Sequence, residues 1–126
     1  MEGYSVTIRE CSKELTAKQR IQLKDTTDTI KLDTATQEQE EGIIIDPDFY
    51  AILDIHNEKS DNTDYANYVV VDKDGQRYVT GSESFWSSFM NIYKEMENET
   101  EPWSIKVYRM PSKKREGKDF ITCSVI

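Results

Sequence analysis

The sequence predicts a mostly β protein with one principal helix, built as a single domain. Three observations lead there. After residue 48, five segments read as strands, from the two-residue period of their faces or from their β-branched and aromatic content. One stretch, residues 82–97, instead repeats its apolar residues at helical spacing. The 126 residues suffice for one core without staples and point to one domain.

The N-terminal 48 residues read as an extension comprising a strand, a short helix and an acidic loop. Residues 4–11 (YSVTIREC) alternate and predict a strand. Residues 12–25 (SKELTAKQRIQLKD) hold good helix formers and no Gly or Pro, with Leu15 and Ile21 as the expected buried contacts and Leu23 adding little to that face. Residues 29–33 (TIKLD) predict a brief strand. Residues 34–42 (TATQEQEEG) are polar and acidic and predict an exposed loop. This extension can add strands or a helix to the body, or mediate self-association.

The body spans residues 49–126. GIII leads into the Asp46-Pro47 turn signal. Residues 49–56 (FYAILDIH) predict a strand with Ala51, Leu53 and Ile55 on one face and Tyr50, Ile52 and Asp54 on the other. After a polar loop at 57–64, residues 65–72 (YANYVVVD) are rich in β-branched and aromatic residues. Asp72-Lys73-Asp74-Gly75 predicts a hairpin turn with Gly75 at positive φ, returning through 76–80. Ser82 or Ser84 can cap the helix, whose face carries Phe85, Phe89, Ile92 and Met96 with Trp86, Met90 and Tyr93 beside them. Residues 103–110 (WSIKVYRM) alternate again: Trp103, Ile105 and Val107 point one way, and Ser104, Lys106, Tyr108 and Met110 the other. A loop, PSKKREGK, leads to the last strand, in which Ile121, Cys123 and Val125 face the core and Phe120, Thr122 and Ser124 face outward.

Charge is unevenly distributed. From Trp103 to Ile126 six Lys/Arg meet two acids, a net of +4, whereas residues 1–102 hold ten bases and 22 acids, a net of −12. A local basic segment on an acidic chain attracts phosphate where the rest of the surface repels it. Tyr108 and Phe120 are interleaved with the bases. Cations that follow a backbone and rings that stack on bases are what a single-stranded nucleic acid site needs. The candidate contacts are Lys106, Arg109, Lys113, Lys114, Arg115 and Lys118 for phosphate, and Tyr108 and Phe120 for bases. Tyr68 and Tyr78, which flank the hairpin turn, could add further rings.

Other chemistry is sparse. Cys11 and Cys123 form no CxxC pair and predict reduced thiols, with Cys123 in the core. Asp54, His56 and Glu58 alternate, which would put three potential metal ligands on one side of a strand, but no second His or Cys group completes a site, so no metal is expected. Asp72 and Glu83 stand at positions 1 and 12 of a calcium-loop spacing, yet glycine falls at position four instead of six and a strand precedes the loop. Paired carboxylates for a nuclease or glycosidase arise by chance in any acidic chain. No phosphate-loop, dinucleotide, hydrolase or zincin motif is present, so neither an enzyme nor a cofactor is expected. No basic-plus-apolar leader and no run of about 18 apolar residues occurs, which predicts a cytoplasmic protein without a membrane partner.

From residue 49 the order is strand, strand, strand, helix, strand, strand, which is the order of the OB-fold, a five-stranded barrel with its helix between strands three and four. The tail WSIKVYRMPSKKREGKDFITCSV resembles the last hairpin of single-stranded DNA-binding proteins, and YVVVDKDGQRYVTGSESFWSSF resembles small proteins of phages and conjugative elements of Gram-positive bacteria. The resemblance covers residues 49–126 and implies an OB-like body that binds single-stranded DNA through the outward face of that hairpin. The chain departs from the bacterial proteins in lacking a glycine-rich linker and an acidic tip, so recruitment of replication partners through such a tail is not expected. The competing architecture is an α+β layer, one helix packed on an antiparallel sheet. The competing function is an acidic inhibitor or DNA mimic that occupies a host protein's basic groove through Glu38, Glu40, Glu41, Asp46, Asp48, Asp61, Asp64 and the acids of 95–101.

Overall fold

The alternating segments form strands, and strands from both ends of the chain complete two separate sheets. The computed structural model describes residues 3–25, 27–59, 61, 63–111 and 119–126. In chain order the elements are β1 (Tyr4–Cys11), α1 (Ala17–Lys24), β2 (Ile30–Lys31), α2 (Leu32–Glu38), β3 (Ile43–Ile45), β4 (Pro47–Asn57), β5 (Asp64–Asp72), β6 (Arg77–Thr80), α3 (Glu83–Met96), β7 (Ile105–Pro111) and β8 (Asp119–Val125). One sheet runs in the order β1-β4-β5-β6-β2, the other in the order β3-β7-β8. The architecture is therefore α+β, with antiparallel pairing and packed helices. Among the described residues neither sheet closes into a barrel, because β4 takes β1 as its neighbour and β7 takes β3. No helix among the described residues is long and apolar enough to cross a membrane.

The contacts divide the chain into two compact units, residues 1–30 with 48–81 and residues 31–47 with 82–126. In the first unit, the alternation of β4 places Ala51, Leu53 and Ile55 on one buried face, as expected, where they join Val69, Val71, Val79 and Leu23. Asp72-Gly75 makes the hairpin turn with Gly75 at φ +87°. The Asp72 carboxylate accepts the amides of Asp74 and Gln76 at 2.9 and 2.8 Å, so its lone pairs build the turn and not a calcium site.

Helix α1 corrects the expectation of Ile21. Thr16 and Gln19 form a reciprocal capping box, with the Gln19 amide to Thr16 Oγ1 at 3.2 Å and the Thr16 amide to Gln19 Oε1 at 2.9 Å. That cap starts the helix at Ala17. It turns Leu23 inward, 3% exposed, and leaves Ile21 70% exposed, about 200° round the helix from it. Arg77 anchors the other end by donating to the carbonyls of Gln22 and Asp25.

In the second unit, residues 34–42 are not the expected loop throughout, since α2 occupies 32–38. Its apolar anchor is Leu32, fully buried, and one turn later Thr36 is buried with its hydroxyl donating to the Leu32 carbonyl at 2.7 Å. Helix α3 begins at the expected cap, with Ser82 Oγ accepting the Phe85 amide at 3.2 Å. Phe85, Trp86 and Phe89 are its buried face, and Phe89 stacks near Phe85 and Trp86 at centroid distances of 5.9 and 5.3 Å. The helix lies along β8, where Ser84 donates to the Ile121 carbonyl and Ser88 meets Thr122, each at 2.9 Å. Ile121 and Cys123 are buried as expected, but Val125 is half exposed at the strand's end.

Candidate nucleic-acid interface

The β7–β8 hairpin carries the basic, aromatic tail, and its register decides which residues share a face. Lys106 pairs with Ser124, Tyr108 with Thr122 and Met110 with Phe120. On the far side of β7, Ile44 of β3 pairs with Lys106. Alternation then places Ile44, Lys106, Tyr108, Met110, Phe120, Thr122 and Ser124 on one face of the three-stranded sheet. Ile105, Val107, Ile121 and Cys123 occupy the other face and are 0–6% exposed.

The outer face is an apolar strip with a cation. Ile44 is 63% exposed, Met110 43% and Phe120 37%. Lys106 is exposed, while Tyr108 is half-buried between the rows. The Tyr108 hydroxyl lies 2.7 Å from Ser124 Oγ, which fixes the hydroxyl end of the ring. Lys106, Tyr108 and Phe120 are thus brought together as the sequence predicts. Met110 was placed on this face by the alternation but given no role there, and Ile44 was not singled out. Met110 was legible as two residues beyond Tyr108, whereas Ile44 sits in an apolar triplet with no alternation and is placed only by its pairing with β7.

Arg109 is in the same strand but on the opposite face, half-buried and turned toward α2. Its Nη2 donates to the Asp33 carbonyl at 2.7 Å and its Nε to Thr36 Oγ1 at 3.0 Å. A guanidinium already holding a helix carbonyl and a buried hydroxyl is a structural tie, so a role on phosphate would require it to give up these bonds. Lys113, Lys114, Arg115 and Lys118 lie outside the described residues. Tyr68 and Tyr78 belong to the first unit. Tyr68 is half-buried, and Tyr78 is only 8% exposed, so its ring is committed to packing and does not offer a face for stacking.

Elsewhere, several charged side chains have partners within the protein. Arg9 makes a two-pronged pair with Asp54, and Lys13 reaches Asp48 at 3.4 Å while its ammonium lies 5.3 Å from the centre of the Phe49 ring. Ser104 donates to Asp46. Asp46 and Asp48, two of the acids a DNA mimic would present, are thereby partnered within the protein, and a third, Asp64, lies 2.8 Å from His56 Nδ1. Among the described residues no group of three or more His, Cys, Asp or Glu converges to hold a metal ion. Burial pushes the Cys123 thiol up to about 12, so it stays protonated and unreactive in the folded state. No protein-family model, curated protein or solved structure matches the chain.

Proposed function

We propose that this is a cytoplasmic single-stranded nucleic acid-binding accessory protein, of the kind carried by phages and conjugative elements, and that it binds through the outer face of the β3-β7-β8 sheet. The observation that carries this reading is the grouping of Tyr108, Phe120 and Met110 with Lys106 on one face of a hairpin. That hairpin's connection is the most basic segment of an acidic chain. Rings and thioether offer π-faces and polarisable surface to unpaired bases, and the cation follows the backbone. The acidic remainder disfavours a nonspecific coat on duplex DNA. The element order from β4 to β8 (three strands, α3, two strands) is that of the OB-fold and adds support.

The test is fluorescence anisotropy with a labelled dT oligonucleotide and a matched duplex, at low and at physiological salt. The expected result is saturable, salt-sensitive binding to the single strand and weak binding to the duplex. No binding to either at micromolar protein overturns the reading and favours capture of a basic host protein through the acidic surface.

A further inference from the structure

The first unit contains a second arrangement that the nucleic-acid reading does not use. His56, near the end of β4, stands between two carboxylates from different parts of the chain. Its Nδ1 lies 2.8 Å from Oδ1 of Asp64, the first residue of β5, and its Nε2 lies 3.6 Å from Oε1 of Glu58, just past β4. The carboxylates address opposite nitrogens of one ring, so they hold the ring instead of converging on a metal. Glu58 is in turn fastened to the start of the chain. Its amide donates to the Gly3 carbonyl at 2.8 Å, and its side chain lies so close over Gly3 that a Cβ there would come within 2.6 Å of Oε2. Beside it, the Asn57 amide donates to the Thr63 carbonyl at 2.7 Å and closes the β4–β5 connection.

We propose that His56 is a pH-sensitive clasp whose protonated ring holds Asp64 and Glu58 together and, through Glu58, fastens Gly3 and the entry to edge strand β1. The imidazolium has two donors, one for each carboxylate; the neutral ring has one. On losing its proton the ring keeps its shorter bond to Asp64, and the Nε2 lone pair then faces the Glu58 carboxylate and repels it. The remaining groups near the ring leave this balance intact. Asp54, two residues back on the same face, is neutralised by Arg9 of β1, and Ser5 of β1, directly opposite His56 in register, is uncharged. The same two carboxylates raise the His56 pKa above its ordinary 6.5, Asp64 contributing most. The clasp is therefore closed below pH 6.5 and opens as pH rises through the shifted value.

The test is a nuclear magnetic resonance titration of the full chain from pH 5 to 9. It follows the His56 ring nitrogens and the amides of Glu58 and Asn57, with amide exchange corrected for its intrinsic pH dependence. The expected result is a His56 midpoint above 6.5, shared by the Glu58 amide, with loss of Glu58 protection above that midpoint. Glu58→Gln should lower the midpoint, and His56→Gln should remove the pH dependence of the Glu58 amide while leaving the other resonances in place. A midpoint at or below 6.5, or a Glu58 amide whose pH dependence persists in His56→Gln, overturns the proposal. The wild-type titration decides the matter even if a variant folds poorly.

Discussion

The two faces of the β3-β7-β8 sheet are made by the same strands, offset by one residue, and they have opposite chemistry. The inner face is aliphatic and almost fully covered: Ile45, Ile105, Val107, Ile121 and Cys123 are 0–6% exposed. The outer face spends comparable apolar side chains, Ile44, Met110 and Phe120, on solvent. Two cations three residues apart in β7 fall on different sides of that division. Arg109 is drawn into the inner side and consumed by α2, while Lys106 stays in water. A count of basic residues therefore overstates the number available to a ligand, because a strand sorts its charges by parity. A large apolar residue exposed on the outer face gains nothing for folding, and it is a contiguous row of such residues that the proposed binding would use.

The division predicts the largest effects on the inner side of this unit and none of them specific to binding. Phe89→Ala, deleting a fully buried ring between Phe85, Trp86 and Tyr93, should cost about 3–5 kcal/mol in denaturant unfolding. Any loss of oligonucleotide binding should follow the unfolded fraction. On the outer side the order reverses. Phe120→Ala should leave unfolding nearly unchanged and weaken binding to dT by about 1–3 kcal/mol, the worth of one stacked base. Tyr108→Phe removes only the hydroxyl contact with Ser124 and should retain most of the binding that Tyr108→Ala loses. If Phe120→Ala and Tyr108→Ala both bind like the wild type, the outer face is not the site.

The two cations sharpen the same contrast. Lys106→Gln should reduce the slope of log K against log salt by ~0.7, one single-strand phosphate, with no change in stability. Arg109→Gln should leave the slope unchanged and destabilise the protein by about 1–3 kcal/mol, since the Asp33 carbonyl and the buried Thr36 hydroxyl lose their charged donor. A slope change in Arg109→Gln would mean that the guanidinium leaves α2 for phosphate when nucleic acid binds.

Much of this was legible from local pattern. The two-residue period of FYAILDIH and WSIKVYRM predicted the strands and their buried faces, and Ser82 before a wide aromatic stripe predicted α3. The parity that set Ile105 and Val107 inward also sets Arg109 inward, so its structural role was readable but was outweighed by its charge. Thr16-Ala17-Lys18-Gln19 is likewise a capping box in plain sequence, and reading it would have phased α1 on Leu23 and not Ile21. Two features lie beyond local pattern. Helix α2 has one apolar anchor and is held by Arg109, 73 residues from Thr36, so no periodicity could announce it. The partners of β1 and β3 are equally nonlocal, and which strand takes which neighbour decides whether the body closes on itself or opens into two sheets.

The smallest predicted effect comes from the first unit, where Arg9 and Asp54 pair at a half-exposed position. Arg9 donates to both oxygens of Asp54 across the β1–β4 pair and holds that carboxyl below its ordinary 3.8. A carboxylate whose pKa falls on folding stabilises the fold above its unfolded value and loses that contribution as pH drops through the folded one. Asp54→Asn should therefore be less stable than the wild type at pH 7, with the gap closing below about pH 4 as the wild-type carboxyl takes up its proton. Both side chains are about half exposed, at 54% and 45%, so added salt should narrow the gap at pH 7 as well. This acid limb and the His56 clasp run in opposite directions: one weakens β1 as pH falls below about 4, the other as pH rises above about 6.5. Edge strand β1 should consequently be held best between those limits. Thermal melts of the wild type, Asp54→Asn and His56→Gln from pH 3 to 8.5 would separate the two arms, because each variant should flatten one limb and leave the other.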